Sequence, residues 1–430
     1  MMKIGQFGTA LAIALAGAQG QAQAQAQAPS ALPTPRSEAP QVLSLGDALD
    51  LAAIGHPSVR VRLSERTGAQ ARLDAARWQR YPQLSVQAAA GTSGSQETAL
   101  VAQVPVWVAG RIDAEVDAAS SRVGATLAAV EGAQLAIMET VLAAFGDLSR
   151  LKDRAVAASA SLDQHSRLAA LIERRVAAEV SSQADLTLAR GRLAQAQGEL
   201  RQIEAQIVAS RSGLEQAVGR AVPDIAPMQV RSLLFRDVDA AVTAAREASP
   251  ELRRLQREIE AAQRDVQARR AARYPQVVAR LRYDLGSGGG SSHQAQLGLD
   301  YQTGPGFAAA AAVREAEARV ETLRQEYQAQ AQRLAERART DWTTARVLEQ
   351  QVQDQQLALR STREFAESTD RQYVIGRKSW IEVLNAYREV AQTAQSVADA
   401  YWGEQAAVHR LHLLTGLLGS AAATAAPVGR

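Results

Sequence analysis

The segment Tyr81-Pro82-Gln83 returns as Tyr274-Pro275-Gln276, and Pro57 returns as Pro250; the step is the same in both cases, since 275 − 82 = 193 and 250 − 57 = 193. Arg60, Glu65, Ala69, Gln70, Ala75, Arg77 and Arg80 recur at that spacing too. Later landmarks recur at a slightly longer one: Ser182 with Ser379, Ala189 with Ala386 and Gly219 with Gly416, where 379 − 182 = 197. The chain is therefore a tandem duplication. Whatever the first half forms the second must form as well, and the two must serve as pseudo-equivalent units of one symmetric assembly.

The boundaries follow from these landmarks. Residues 1 to 28 read as a secretory signal peptide, with Lys3, an apolar run from Phe7 to Ala16 and repeated Ala-Gln-Ala triplets that place cleavage between Ala22 and Ala28. A Pro-rich segment covers 29 to 43. The first repeat covers 44 to 235, with a hairpin at 83 to 108 and a long helical pair at 111 to 219. The second covers 236 to 419, with a hairpin at 276 to 302 and a helical pair at 306 to 418. Residues 420 to 430 form a flexible tail.

Composition narrows the classes. Aromatic residues are only 4% of the chain while Ala, Gln, Arg, Glu and Leu fill long stretches, the bias of long helices rather than of a globular core. The 48 basic and 45 acidic residues are interspersed, so no electrostatic footprint for nucleic acid is present. There is no cysteine, which excludes disulfides and thiolate metal sites. The apolar run of the signal is about half of the roughly 20 residues a spanning helix needs, and no transmembrane helix is expected. An exported chain of this kind can still enter a membrane as a β-barrel.

Within each repeat, prolines punctuate the order of parts. Ser44-Leu45-Gly46-Asp47 has capping-box character and opens a short helix; His56-Pro57 then starts a polar, Ala-rich helix running to Arg80. Tyr81-Pro82 stops it, because Pro disfavours the α conformation in the residue before it. Beyond Pro82 the chain alternates, with Leu84, Val86, Ala88 and Ala90 against Ser85 and Gln87, and after a Gly/Ser turn with Leu100, Ala102, Val104 and Val106 on one side. The second repeat alternates more clearly. Val277, Ala279, Leu281, Tyr283 and Leu285 oppose Arg280, Arg282 and Asp284, and after residues 286 to 292 Ala295, Leu297, Leu299 and Tyr301 oppose Gln294, Gln296 and Asp300. These are strands of the ~9 to 11 residues a tilted membrane strand needs, apolar on one face and polar on the other.

Four strands cannot close a barrel, the smallest membrane barrels having about eight, so partner chains must supply the rest. From Gly110 to Glu179 and from Phe307 to Ile375 no Pro interrupts the pattern, and ~65 helical residues would span roughly 100 Å. In the return helix Leu186, Leu193, Leu200, Ile207 and Leu214 fall seven apart, the mark of a coiled-coil seam, and Val383, Val390, Val397 and Leu411 take the matching places in the repeat, interrupted by Glu404.

The order of motifs resembles the TolC family of outer-membrane efflux and secretion channels. Leu45 to Ala53 with His56-Pro57, Arg80-Tyr81-Pro82-Gln83-Leu84, and Val104-Pro105-Val106-Trp107 with Gly110-Arg111 carry the likeness. So does Tyr373-x-x-Gly376-x-x-Ser379-x-x-Glu382-Val383-Leu384-Asn385-Ala386, followed by Leu413-Leu414-Thr415-Gly416. The resemblance implies a mainly α fold with membrane β-hairpins: a homotrimer whose twelve-stranded outer-membrane β-barrel is continued by a long periplasmic α-helical barrel. It also implies partners, namely a periplasmic adaptor with an inner-membrane pump or ABC transporter, and contact with outer-membrane lipid. The channel would be a passive exit duct of a tripartite efflux pump or a type I secretion system, not an enzyme and without a cofactor.

Two regions become candidate sites. The turns at 178 to 183 and 376 to 380 join the long helices, and Ser182-x-x-Asp185 and Ser379-x-x-Glu382 read as capping boxes. The resemblance makes these turns a periplasmic gate of Asp185, Tyr373, Gly376, Lys378, Ser379, Glu382 and Asn385, in which Asp185, Tyr373 and Lys378 link neighbouring helices and Glu382 rings the pore. Asn385 stands where the prototype has a second acid, and Glu179 replaces a turn Gly. Arg280 and Arg282 are candidates for the barrel lumen, and Trp107 for the membrane interface. His409 and His412 are read as interface polar residues rather than metal ligands, and Gly286 to Gly290 as a surface loop rather than a phosphate loop. Tyr301 to Gly306 lacks the apolar-aromatic turn of many drug-efflux members and is closer to the branch that exports adhesins. The competing class is a structural periplasmic coiled coil or adaptor without membrane strands; Leu281, Tyr283, Leu297 and Tyr301 would have no partner there.

Overall fold

In the computed structural model the residues described are 42 to 90, 96 to 286, 291 to 301 and 308 to 418. The signal segment, most of the Pro-rich stretch, the centres of both hairpin turns, residues 302 to 307 and the tail lie outside them. Six elements occur twice in the same order. The first set is α1 (Leu45–Gly55), α2 (Pro57–Trp78), β1 (Gln83–Ala90), β2 (Gln96–Trp107), α3 (Arg111–Ala177) and α4 (Gln183–Val218). The second is α5 (Val238–Ala248), α6 (Pro250–Ala271), β3 (Gln276–Gly286), β4 (Ser291–Asp300), α7 (Ala308–Val374) and α8 (Trp380–Leu414).

The expected punctuation is physical. Ser44 Oγ accepts from Asp47 N at 3.2 Å and so caps α1. Pro57 and Pro250 occupy first-turn positions of α2 and α6, where a missing N–H costs nothing. α2 ends at Trp78, two residues short of the expected Arg80, because Gln79, Arg80 and Tyr81 close an i−3 turn that delivers Pro82 to the strand. The long helices α3 and α7 have 67 residues each, about 100 Å at 1.5 Å per residue.

The two hairpins share one antiparallel sheet of order β1-β2-β3-β4, with β1 and β4 as open edges. Register runs Leu84↔Ala102, Ala102↔Leu281 and Leu281↔Ala295, so the apolar positions of all four strands form rows on one face. The expected alternation needs one correction, at Val106. The β2 register shifts between Pro105 and Trp107, so that Trp107, not Val106, stands opposite Val277. Pro105 has no N–H for a ladder bond, and a bulge is how a strand flanked on both sides accommodates it.

The halves do not form separate globules; among the described residues they belong to one compact unit. Beside the sheet, α2, α3, α6 and α7 pack together, joined by Leu73 and Ala76 against Ala119 and by Ala262 and Val266 against Val320 and Leu323. Farther along, α3 and α7 pack against α4 and α8 instead. The largest core lies at the middle, where α1, α3, α4, α8 and residues 222 to 228 meet around Phe145, Leu142 and Leu214. The chain between the repeats is strapped down by side chains: Gln405 bonds both N and O of Arg231, and Trp342 Nε1 donates to Phe235 O. A parallel bridge from Leu43 to Ile225 adds a backbone tie.

Contrary to the expectation from hydropathy, α3 does contain an 18-residue window apolar enough to cross a membrane. That window is only 33% buried; α3 also gives the central core Ile137, Met138, Val141, Leu142 and Phe145, buried where α1, α4 and α8 surround it. Phe145 is fully buried. Phe145→Ala is expected to cost about 3–5 kcal/mol, read as a lowered unfolding midpoint of the detergent-solubilised protein in a thermal or denaturant titration.

Candidate functional site

The tip where the long helices turn is built twice from one design. Glu179 N bonds Val176 O and Val180 N bonds Arg175 O; in the repeat, Gly376 N bonds Tyr373 O and Arg377 N bonds Gln372 O. This 6→1 closure needs a left-handed residue, supplied by Gly376 at φ 78 and by Glu179 at φ 60. Glu179 therefore does the work of a glycine while carrying a side chain.

Both return helices then start on a complete capping box. Ser182 Oγ accepts from Asp185 N and Asp185 Oδ2 accepts from Ser182 N; Ser379 and Glu382 reproduce the arrangement. The second carboxylate oxygen distinguishes the halves. Asp185 Oδ1 accepts from Trp380 Nε1 at 3.0 Å, tying the start of α4 to the start of α8. Glu382 Oε1 accepts from Lys378 Nζ at 2.6 Å, a bond that closes within the turn leading into α8. Lys378, followed by the N–H and hydroxyl of Ser379, holds the Glu382 carboxyl down at about 2. The Asp185 carboxyl is likewise lowered, by the Ser182 hydroxyl first, then by Trp380 and the Ser182 N–H.

Tyr373 is buried in the tip core with Leu168, Ile172, Leu186, Trp380, Val383 and Leu384. Arg175 of α3 lies over its ring at 5.5 Å and donates to its hydroxyl at 3.4 Å. Gly376 and Asn385 are exposed. Reading the chain alone missed Arg175 and Trp380. A signal existed, because both staples use residues found in one half only: since 380 − 183 = 197 and 373 − 176 = 197, Trp380 faces Gln183 in the repeat alignment and Tyr373 faces Val176.

At the other end of the long helices the sheet presents two unlike faces. Leu84, Val86, Leu281, Leu297 and Leu299 are exposed on one, with no second sheet over them among the described residues. The other is concave, and its hollow is lined by Gln, Ser, Val101, Arg280 and Arg282. Where sheet meets helices, Trp78, Tyr81, Trp107, Tyr274 and Tyr301 are each at least half exposed. Exposed aromatics beside a sheet with an apolar outer face are what an interfacial girdle requires. Of these, only Trp107 was expected at the membrane interface from the sequence.

The model for the outer membrane efflux protein family matches residues 48–220 and 241–424. The chain belongs to the outer membrane efflux protein family. Its two matched stretches are the two repeats, and membership places the protein in the outer membrane with a TolC-like fold. A curated relative, the cobalt-zinc-cadmium resistance protein CzcC of Cupriavidus metallidurans, is 26% identical over 254 residues, 59% of this chain and 61% of that protein. The chain thus spans less than two thirds of that relative. The CmeC outer membrane channel of Campylobacter jejuni superposes with a TM-score of 0.77 at 13% identity, covering 86% of this chain and 85% of that one. The MtrE outer membrane channel of Neisseria gonorrhoeae, in its open state, gives 0.75 at 16%, covering 87% and 89%.

Among the described residues of this efflux-family chain, no group of three His, Cys, Asp or Glu could hold a metal ion. His409 and His412, expected at an interface, are instead buried in α8, with His409 Nδ1 bonded to Gln405 O. Burial pushes His412 down to about 4 and lowers His409 too, so both are neutral core residues at neutral pH.

Proposed function

We propose that three copies of this chain close a twelve-stranded barrel and a helical tube beneath it, forming a passive exit duct. The four-stranded sheet carries this reading: its outer face is apolar, its concave face polar, and both edges lack a partner among the described residues. Open edges demand more strands. Two copies would give eight, whose interior is just wide enough for its own side chains to fill, whereas twelve leave a passage around residues as long as Gln and Arg.

The two repeats, 44 to 235 and 236 to 419, then supply six similar units around the tube. The tip, with Asp185, Tyr373, Lys378 and Glu382, is the constriction, and a periplasmic adaptor and an inner-membrane pump or ABC transporter deliver cargo to it. The exposed aliphatic rows and the aromatic girdle speak against a structural rod without membrane strands. The test is direct. The chain should fractionate with the outer membrane as a trimer and open ion-conducting pores in planar bilayers; a monomer in the soluble periplasmic fraction would falsify the reading. Deletion, scored for sensitivity to drugs and to cobalt, zinc and cadmium against loss of a secreted protein, separates efflux from secretion.

A further inference from the structure

The concave face of the sheet carries more order than a generic polar lining. Register places Gln83 beside Gln103, Gln103 beside Arg280 and Arg280 beside Gln296, one residue from each of the four strands in a single row. All four line the same hollow. One step along the strands, the row is Ser85, Val101, Arg282 and Gln294.

The charges in these two rows are handled differently. Arg282 Nε donates to Asp284 Oδ1 at 2.6 Å and is neutralised. Arg280 Nε and Nη2 both donate to Gln103 Oε1, at 3.3 and 3.1 Å, so its positive charge is oriented by a neutral amide. The described residues lining the hollow include two arginines and five glutamines, and no carboxylate. A guanidinium held in place by one amide, flanked by amides whose NH₂ groups are donors, offers a fork that fits carboxylate or phosphate oxygens. At the tip, meanwhile, Lys378 pairs with Glu382, so this acid adds little net negative charge to the route.

The geometry points to a glutamine–arginine belt inside the barrel that binds anionic groups of passing solutes, centred on Arg280. This rests on the exit-duct reading and goes beyond it, since it assigns the barrel a chemical preference. It makes solutes bearing carboxylate or phosphate groups the favoured cargo over bare cations.

The experiment uses the full-length protein in planar bilayers, with citrate added on the barrel side. Citrate is expected to block the wild-type current, and Arg280→Gln to raise the half-blocking concentration by about tenfold, the scale of one lost hydrogen bond to a charged group. Arg280→Gln extends the row of amides and Arg280→Lys retains the charge; the lysine variant should restore part of the block, as a point charge without the fork. In a KCl gradient the reversal potential of Arg280→Gln should shift towards that of cations. Equal citrate block in wild type and Arg280→Gln, or no block in wild type, overturns the belt while leaving the duct intact. Absence of any pore from correctly folded protein overturns the duct reading and the belt together.

Discussion

Leu297→Arg should abolish assembly in the outer membrane, whereas the same change one residue earlier, Gln296→Arg, should leave assembly intact. Leu297 is on β4, 73% exposed on the apolar face and opposite Ala279, while Gln296 belongs to the concave row beside Arg280. An arginine facing lipid near the middle of a membrane strand costs about 2–4 kcal/mol, and three copies in a closed barrel multiply that to about 6–12 kcal/mol. Such a sum is comparable to the whole folding stability of a typical domain. The measurement is the amount of trimer in the outer-membrane fraction after expression at equal levels. A soluble rod would tolerate both changes alike, so equal trimer yields for the two variants would remove the membrane reading of the sheet. If Gln296→Arg alone failed, the two faces would have been assigned the wrong way round.

That pair of adjacent residues also shows why the sheet was legible without coordinates. Strand periodicity is local, and Arg280, Arg282 and Asp284 alternate with aliphatics in a way no helix would bury. Prolines 57, 82, 250 and 275 constrain the backbone by themselves, so helix starts and strand entries followed from single residues. The bulge at Pro105 was the exception, since its effect on Val106 and Trp107 depends on β3 lying alongside β2. The adjacency of β2 and β3 was equally out of reach, because Gln276 follows Trp107 by 169 positions (276 − 107 = 169) and no periodicity reports a contact across them.

The tip divides along the same line. Both capping boxes could be read from Ser-x-x-Asp and Ser-x-x-Glu, since their bonds close within one turn. The bonds from Arg175 to Tyr373 and from Trp380 to Asp185 join residues 198 and 195 positions apart, and only packing brings them together. Lys378 is the instructive case. Its ammonium pairs with the capping glutamate four residues on, a contact as local as the cap itself.

These bonds set up the second large effect. Trp380→Phe is expected to raise the mean conductance of single channels, because it deletes the N–H that ties α8 to Asp185 while keeping an aromatic ring in the tip core. A tip that exchanges between narrow and wide arrangements should move by on the order of tenfold in population when a bond to a charged group is lost from the narrow one. Asp185→Ala should go further, since it removes the cap and the tie together, and Ser182→Ala isolates the cap alone. Lys378→Ala acts through charge. With Lys378 present, Glu382 titrates at about 2 rather than at the ordinary glutamate value of 4.5, so its bonds are fully present above about 4.5 and are lost as pH falls through about 2. Wild-type conductance should thus stay flat from neutral pH down to the ordinary carboxylate range. Lys378→Ala should release Glu382 towards that range and make conductance begin to rise at a higher pH than in wild type. Recordings in symmetric KCl at stepped pH check both effects. Identical conductance in wild type, Trp380→Phe and Asp185→Ala would mean that the Trp380–Asp185 bond stabilises the fold of the tip without controlling its aperture.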